Sequence, residues 1–183
     1  MKVVIIAGTP KKEGLSCATV DAALEGVQDG GAEGEVIRLC NYSLIRCAMC
    51  NDGWGTCYDK HTCIYGDDGF SAVQQKLKEA DAVILATPVY WGEMTEVMKA
   101  FFDRFRRCEA TKKEDGALAG KPVLLIASPG GSGNGLLSCQ QQMERLCQHL
   151  HAKIFDFVGV NRWNKEYKLV AIRAAAEAMV QKK

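Results

Sequence analysis

The sequence lacks the features that would mark a nucleic-acid or membrane partner. Its 183 residues carry 23 basic and 22 acidic side chains, so neither sign of charge is in excess. Binders of nucleic acid or of anionic membranes need a surplus of positive charge, and this balance argues against both. No apolar stretch approaches the length of a membrane span, and the apolar run at residues 3–7 is too short for a signal peptide. We therefore expect a cytoplasmic protein.

Repeats, linkers and low-complexity tracts are also absent, so we expect one domain over residues 1–183. Hydrophobic residues make up 48% of the chain and charged residues 25%, which is typical of an ordinary globular protein. No Ser/His/Asp arrangement and no pair of carboxylates stands out. The sequence therefore offers no catalytic side chain, as expected where a cofactor performs the chemistry.

Short apolar runs alternate with amphipathic stretches along most of the chain. Strands are expected at residues 3–7, 35–39, 82–86, 123–127 and 154–160. Apart from the second, they are almost continuously apolar, as strands covered on both faces are. Helices are expected at residues 16–28, 70–80, 94–105, 136–150 and 165–181. This alternation predicts right-handed crossovers and a doubly wound α/β fold around a five-stranded parallel sheet.

Two segments interrupt this alternation. Residues 41–68 hold a group of cysteines and are rich in Gly, Asp and Asn, so they are interpreted as an irregular insertion. Residues 108–120 include two adjacent lysines and are interpreted as a mobile, solvated loop.

The loop after the first strand, residues 8–19, offers hydroxyls, lysines and backbone amides where a helix begins. A helix N-terminus attracts anions, so Thr9, Lys11 and Ser16 are candidate ligands of a phosphate. The loop has no G-x-G-x-x-G pattern and no P-loop, because Glu13 is followed by no Gly-Lys-Ser/Thr. A phosphate monoester therefore fits better than a pyrophosphate or a triphosphate. The alternative is an ordinary turn in which Ser16 caps the helix.

Two further loops leave strand ends with unusual residues. After the third strand, Pro88 stiffens a turn in which Tyr90 and Trp91 can contact a flat ring and Gly92 lets a ligand approach the backbone. The alternative is that these aromatic side chains pack in the core. The loop after the fourth strand, residues 128–135, is rich in glycine, which favours close approach to a ligand over a merely flexible loop.

Together the three loops resemble those of the flavodoxin-like NAD(P)H-dependent FMN reductases, and the resemblance spans residues 1 to about 165. The phosphate loop of that family is matched by Gly8-Thr9-Pro10-Lys11 and Gly14-Leu15-Ser16, although Lys11 and Leu15 replace Arg and Asn and weaken the expected contacts. The ring segment is matched by residues 88–92, and a Lys-Ala-Phe-x-Asp-Arg stretch by residues 99–104. The resemblance implies a flavodoxin-like fold and an FMN site formed by Thr9, Lys11, Gly14, Ser16, Pro88, Val89, Tyr90, Trp91, Gly92, Gly130, Gly131 and Gly133.

Nine cysteines are present, and five of them fall within residues 40–63. Cys47, Cys50, Cys57 and Cys63 give a C-x2-C-x6-C-x5-C pattern, whose C-x-x-C pair lets two thiolates reach one metal. This resembles the iron–sulfur flavoproteins, a branch of the same family, in which a compact cysteine motif holds a [4Fe–4S] cluster near the flavin. The family motif is tighter between its second and third cysteines.

Three alternatives stay open for this insertion: an iron–sulfur cluster, a structural zinc, and no metal with free or redox-active thiols. The insertion has little hydrophobic content, so a metal would help to organise it. His61 could replace a ligand, but an exposed side chain without a role is the simpler interpretation. The other cysteines are interpreted as buried small hydrophobic residues. Cys17 stands out, because it lies at a helix N-terminus.

The resemblance implies an enzyme in which NAD(P)H gives hydride to FMN, which passes electrons to a quinone, another small acceptor or the cluster. The alternatives are a non-enzymatic electron carrier like flavodoxin and a redox or metal sensor. Flavodoxins are usually acidic, so the net charge of +1 favours the enzyme. Family members form dimers or tetramers, and a homodimer or homotetramer is therefore expected by resemblance.

Overall fold

A parallel sheet of five strands in the order β2-β1-β3-β4-β5 forms the centre of the computed structural model, which describes residues 1–182. Every neighbouring pair of strands is parallel. This order is the flavodoxin-like one, in which the direction of winding reverses between β1 and β3, and it confirms the predicted fold class. The strands are β1 (Lys2–Ala7), β2 (Glu33–Arg38), β3 (Ala82–Val89), β4 (Pro122–Pro129) and β5 (Lys153–Gly159).

Helices cover both faces of the sheet, because alternate strand residues point to opposite sides. On one face, Val3 and Ile5 pack with apolar residues of the first and last helices. On the other, Val4 and Ile6 pack with the helices that follow the insertion, β3 and β4. The helices are α1 (Leu15–Asp29), α2 (Thr56–Asp59), α3 (Phe70–Glu79), α4 (Glu96–Glu109), α5 (Leu136–His149) and α6 (Lys165–Gln181).

The central strands extend farther than the sequence indicates. Strand pairing continues from Thr87 opposite Ala127 to Val89 opposite Pro129, although the predicted strands end at residues 86 and 127. The apolar run stops earlier than the ladder because polar and proline residues occupy its last positions. The first part of each ligand loop is therefore held by the sheet.

The interpretation of residues 108–120 as a solvated loop is wrong. A 3-10 helix covers Ala110–Asp115, and Ala117 and Leu118 after it are buried. The buried carboxylate of Glu109 accepts hydrogen bonds from Lys112 Nζ and from the backbone amide of Ala117, which fixes the segment. Lys113, Glu114 and Asp115 face solvent, whereas Ala117 and Leu118 pack in the core.

The insertion at residues 41–68 is mostly irregular, as predicted. It contains α2 and a 3-10 turn at Gly66–Asp68, and the rest has no regular structure. Within residues 1–182, no helix combines the length and the apolar character that crossing a bilayer requires.

Candidate functional site

The three ligand loops meet at the carboxyl edge of the sheet, where β1, β3 and β4 end. They line a cleft of about 200 Å³, and Ser128 at the end of β4 lies in its wall. The predicted site residues that line this cleft are Thr9, Lys11, Gly14, Ser16, Pro88, Val89, Tyr90 and Gly130. The cleft lies where the strand order reverses, which is where open α/β sheets bind ligands.

One end of the cleft is formed by the start of α1. The helix begins at Leu15 with Gly14 at its N-cap, and no side chain caps it. Its first amides have no acceptors within the helix, so they are available to an anion. The exposed side chain of Lys11 adds a positive charge to this end, and Glu13 places a carboxylate on the same wall.

The alternative in which Ser16 caps the helix is wrong. The Ser16 hydroxyl oxygen lies 2.7 Å from that of Ser128. The hydroxyl of Ser128 is buried and also lies 3.3 Å from the carbonyl oxygen of Thr87, to which it can donate. The phosphate loop is thereby joined to the ends of β3 and β4.

Buried threonine side chains hold the first loop in place through hydrogen bonds. Thr9 is buried, and its hydroxyl oxygen accepts the Lys11 backbone amide at 3.3 Å. Thr95 donates to the carbonyl of Gly8 at 2.8 Å, and its own amide donates to the Thr87 hydroxyl oxygen at 3.2 Å. No local sequence pattern indicates the roles of Thr87, Thr95 and Ser128, because they are connected to Gly8 and Ser16, which lie far away along the chain.

A tight turn carries the aromatic pair of the second loop. Tyr90 and Glu93 exchange two backbone hydrogen bonds of 2.9 Å across Trp91 and Gly92. Trp91 is fully exposed and has a φ of 52°, which is uncommon for a bulky residue. Tyr90 is also exposed, so the alternative of core packing is wrong for both aromatic side chains.

The second and third loops pack directly on one another. A Cβ on Gly135 would lie 2.7 Å from the Cα of Gly92, and one on Gly92 would lie 2.6 Å from the Ser138 hydroxyl. Gly135 is thus required by contact between the loops, and Gly92 is favoured by its φ of +81°. Together they line a second cavity of about 530 Å³, whose walls include Val89, Trp91, Gly92, Gly130, Gly131, Ser132 and Asn134.

The two cavities share Val89 and Gly130, so they adjoin. Added Cβ atoms on Gly130 and Gly131 would meet nothing within 4 Å, and these two residues leave open space beside the cleft. Gly133 lines neither cavity; its backbone lies against Trp163, whose ring would be 2.7 Å from an added Cβ. The predicted site residues are therefore brought together except for Gly133.

The insertion cysteines also converge. Cys47, Cys50, Cys57 and Cys63 line one cavity with a fifth cysteine, Cys108, and with Arg46, Arg104 and Arg107. Within residues 1–182, no three metal-binding side chains lie close enough to hold a single metal ion. This arrangement argues against a zinc site, for which four ligands must surround one ion. The same finding gives no support to an iron–sulfur cluster at this position.

The remaining cysteines and His61 have other surroundings. Cys17, Cys139 and Cys147 are buried as predicted, and burial raises the pKa of the latter two to about 12. Cys40 is exposed, so its interpretation as buried is wrong; its thiol donates to the carbonyl of Thr9 at 3.3 Å. The Nδ1 of His61 lies 3.1 Å from the carbonyl oxygen of Cys108, outside the cavity wall.

Two arginines of α4 hold the insertion in place. From the sequence, a metal was expected to have this role. Arg104 is buried and pairs with Asp68, with one nitrogen–oxygen distance of 2.6 Å. Burial alone would raise the pKa of Asp68, but hydrogen bonds from Arg104 and two backbone amides lower it below its ordinary value. Arg107 donates to the carbonyl of Gly53 and lies over the Trp54 ring.

Similarity to known proteins spans most of the chain. The family described as NADPH-dependent FMN reductase matches residues 1–164. An iron-sulfur flavoprotein of Methanosarcina thermophila is 33% identical over 170 residues, which are 90% of this chain and 83% of that protein. One from Archaeoglobus fulgidus is 38% identical over 104 residues, 57% of this chain, and the match spans 45% of that protein.

Among solved structures, an NAD(P)H:quinone oxidoreductase from Methanothermobacter marburgensis has the same fold. Its TM-score is 0.74 at 18% sequence identity, with 98% of this chain and 96% of that chain covered. The family match confirms the resemblance stated from the three loops and, by family, the predicted NAD(P)H-dependent FMN oxidoreductase. The chain belongs to the NADPH-dependent FMN reductase family.

Proposed function

We propose that this protein binds FMN in the cleft and uses it to oxidise NAD(P)H and reduce a quinone or another small acceptor. The observation that carries the proposal is the convergence of the three loops at the point where the strand order reverses. When bound, FMN supplies the acceptance of hydride and the transfer of electrons. The side chains bind it, orient it and control access to it.

The phosphate of FMN fits the end of the cleft at the start of α1. Open amides of the first helical turn and the charge of Lys11 favour an anion there, and the buried Thr9 shapes the loop. Glu13 on the same wall reduces the attraction. A monoester phosphate fits this balance better than a more highly charged group.

The ring of FMN fits between the second and third loops. Val89 and Gly130 belong to both cavities, so a ligand that starts at Lys11 can continue past them. The open backbone at Gly130 and Gly131 accommodates a flat ring, and the exposed Tyr90 and Trp91 lie at its rim. This rim faces solvent and leaves a route for a nicotinamide and for the acceptor.

The cysteine cavity supports a second element of the proposal, a [4Fe–4S] cluster held by Cys47, Cys50, Cys57 and Cys63. The donor set fits, because thiolates are the ligands of such clusters and three arginines line the cavity and would offset their charge. The cavity that these four cysteines line has a volume of about 30 Å³, and Cys108 lies in the same wall. Zinc and free thiols are the competing outcomes.

An assembly of two or four copies is part of the same proposal. Trp91 is fully exposed at the rim of the cleft, and Leu137 at the start of α5 is largely exposed as well. Apolar side chains beside the cleft support a homodimer or homotetramer with flavin sites near the interface. Light scattering on the FMN-loaded protein measures the number of copies.

Anaerobic stopped-flow mixing with NADH and with NADPH tests the proposed reaction. The bound flavin should bleach rapidly and in a saturable way with at least one nucleotide. An electron carrier would instead need a partner reductase, so no bleaching over minutes would favour the carrier. A protein that stays colourless after incubation with FMN would overturn the proposal altogether.

A further inference from the structure

Helix α4 carries the buried charge of Arg104 into the cysteine insertion. One nitrogen, Nη1, donates to the carbonyl of Ile45 at 3.2 Å and to Asp68 at 2.6 Å. The other, Nη2, donates to the carbonyl of Tyr65 at 2.8 Å and to Asp68 at 3.2 Å. A single guanidinium therefore connects both ends of the insertion to the helix.

The same nitrogen also reaches a sulfur atom. Nη2 of Arg104 donates to Sγ of Cys63 at 3.4 Å. Across residues 1–182, no side chain donates a hydrogen bond to the sulfur of Cys47, Cys50 or Cys57. Cys63 therefore differs from the other three insertion cysteines, because its sulfur lies within hydrogen-bond distance of a buried, positively charged guanidinium.

Burial makes this contact stable. Arg104 is 2% exposed, and its guanidinium lies 4.3 Å from the centre of the Phe70 ring. A buried charge has to be paired, and the carboxylate of Asp68 pairs with both Nη1 and Nη2. The guanidinium is thus held in one orientation, in which Nη2 lies 3.4 Å from Sγ of Cys63 and the buried Nε has no partner within residues 1–182.

We infer that Arg104 is a positioning residue that fixes Cys63 before a cluster is loaded and raises the reduction potential of the loaded cluster. The inference rests on the proposed cluster. Its physical basis is that reduction adds an electron, so negative charge on the sulfur ligands increases and a hydrogen-bond donor stabilises the reduced form more than the oxidised form.

Arg107 provides a matched control one turn along the same helix. It lines the same cavity, but it donates to the backbone carbonyl of Gly53 and lies 4.7 Å from the centre of the Trp54 ring. Arg104→Lys and Arg107→Lys both keep a positive charge and lose the planar fork. Only the first removes a donor to a cysteine sulfur.

The test compares both variants with the parent after anaerobic loading with iron and sulfide. FMN content, iron content and the midpoint potential of the cluster are measured, the last by redox titration followed with EPR. Arg104→Lys should shift the potential to a lower value and lose iron to a chelator several-fold faster, with FMN content unchanged. Arg107→Lys should keep the parental potential. An unchanged potential in a cluster-loaded Arg104→Lys protein would overturn the inference.

Two further measurements cover the other outcomes. If Arg104→Lys does not fold, ¹⁵N-arginine labelling of a protein with both Arg46→Lys and Arg107→Lys, which leaves Arg104 as the arginine in the cavity wall, should show coupling of an arginine nitrogen to the reduced cluster, and absence of coupling counts against the inference. If the parent binds no iron, the cluster proposal has failed. Hydrogen exchange in residues 62–68 then judges the positioning role: it should be at least tenfold faster in Arg104→Lys, and equal exchange rejects that role.

Discussion

The hydroxyl oxygens of Ser16 and Ser128 lie 2.7 Å apart, although the two residues are separated by 112 positions in the chain. The contact joins the first turn of α1 to the end of β4, and Ser128 extends it to the carbonyl of Thr87. The start of α1 and the ends of β3 and β4 are therefore connected through one pair of hydroxyl groups. Direct hydrogen bonds between hydroxyl and carbonyl groups thus link the walls of the cleft.

Replacing Ser128 with alanine tests this connection. Ser128→Ala should lower FMN affinity about two- to tenfold, because one hydrogen bond between neutral groups contributes about 0.5–1.5 kcal/mol. Quenching of flavin fluorescence on titration measures the affinity. Ser71→Ala, an exposed position on α3, is the control and should bind FMN like the parent. Tighter binding by Ser128→Ala would mean that Ser128 holds the Ser16 hydroxyl away from the phosphate.

Lys11 and Lys12 form a matched pair for the phosphate assignment, since only Lys11 lines the cleft. Lys11→Ala should cost about 1.5–3 kcal/mol of FMN affinity, the range of a charge-assisted hydrogen bond. Lys12→Ala should have little effect. Riboflavin, which lacks the phosphate, should bind both variants and the parent almost equally. Equal loss of FMN affinity in both variants would indicate a general effect of charge.

The glycines of the third loop differ in their surroundings, so alanine substitutions at Gly135 and Gly131 should have different effects on stability. Gly135→Ala should destabilise the protein by at least 1 kcal/mol, because its φ is +78° and its Cβ would lie 2.7 Å from the Cα of Gly92. Gly131→Ala should change the thermal midpoint little, since its Cβ would meet nothing within 4 Å. Calorimetry of the FMN-free proteins measures both changes. Similar midpoints for the two variants would contradict the packing described between the second and third loops.

The fold could be predicted from the sequence because the apolar runs and amphipathic stretches that indicate strands and helices are local patterns. The apolar run at Val3–Ala7 marks the buried part of a strand, and the alternation of such runs with helices predicts a parallel, doubly wound sheet. The ligand loops could also be located, because each directly follows a strand. Where a loop lines the cleft, its residue types correctly indicated which residues lie there.

Features that depend on distant partners could not be predicted in this way. Ser128 is one polar residue in a glycine-rich loop until Ser16 is placed beside it. Gly133 has the same residue type as Gly131, and only the position of Trp163 shows that it faces away from the cavities. Arg104 was noted as part of a family motif, but its link to the cysteine insertion depends on how α4 packs.

The ion pair of Asp68 with Arg104 predicts a dependence of stability on pH. The pKa of Asp68 is lowered in the folded protein, so the pair stabilises the fold above the ordinary aspartate pKa, about 3.9. That contribution is lost as the pH falls through the lowered value. Asp68→Asn should cost about 3–5 kcal/mol at pH 7, because it leaves a buried charge unpaired. Urea unfolding at pH 7 and near pH 3 should show a smaller difference from the parent in acid; a constant difference would contradict the argument.

The four insertion cysteines should behave as one unit if they hold a cluster. Losing any one ligand disrupts the site for all, so replacing Cys47, Cys50, Cys57 or Cys63 singly with serine should release as much iron as replacing all four. FMN binding should largely survive, because the cleft is formed by other loops. Iron, sulfide and flavin are measured on protein purified without oxygen.

Cys139 and Cys147 supply the controls for that experiment. Both are buried, and burial raises the pKa of each thiol to about 12, so they stay neutral and pack like small hydrophobic side chains. Cys139→Ala and Cys147→Ala should therefore leave the iron content unchanged, whatever they do to stability. Independent, additive losses among the four insertion variants would mean that no shared cluster is present. A parent protein that contains no metal after anaerobic purification would identify the insertion as a group of free thiols held in place by Arg104 and Arg107.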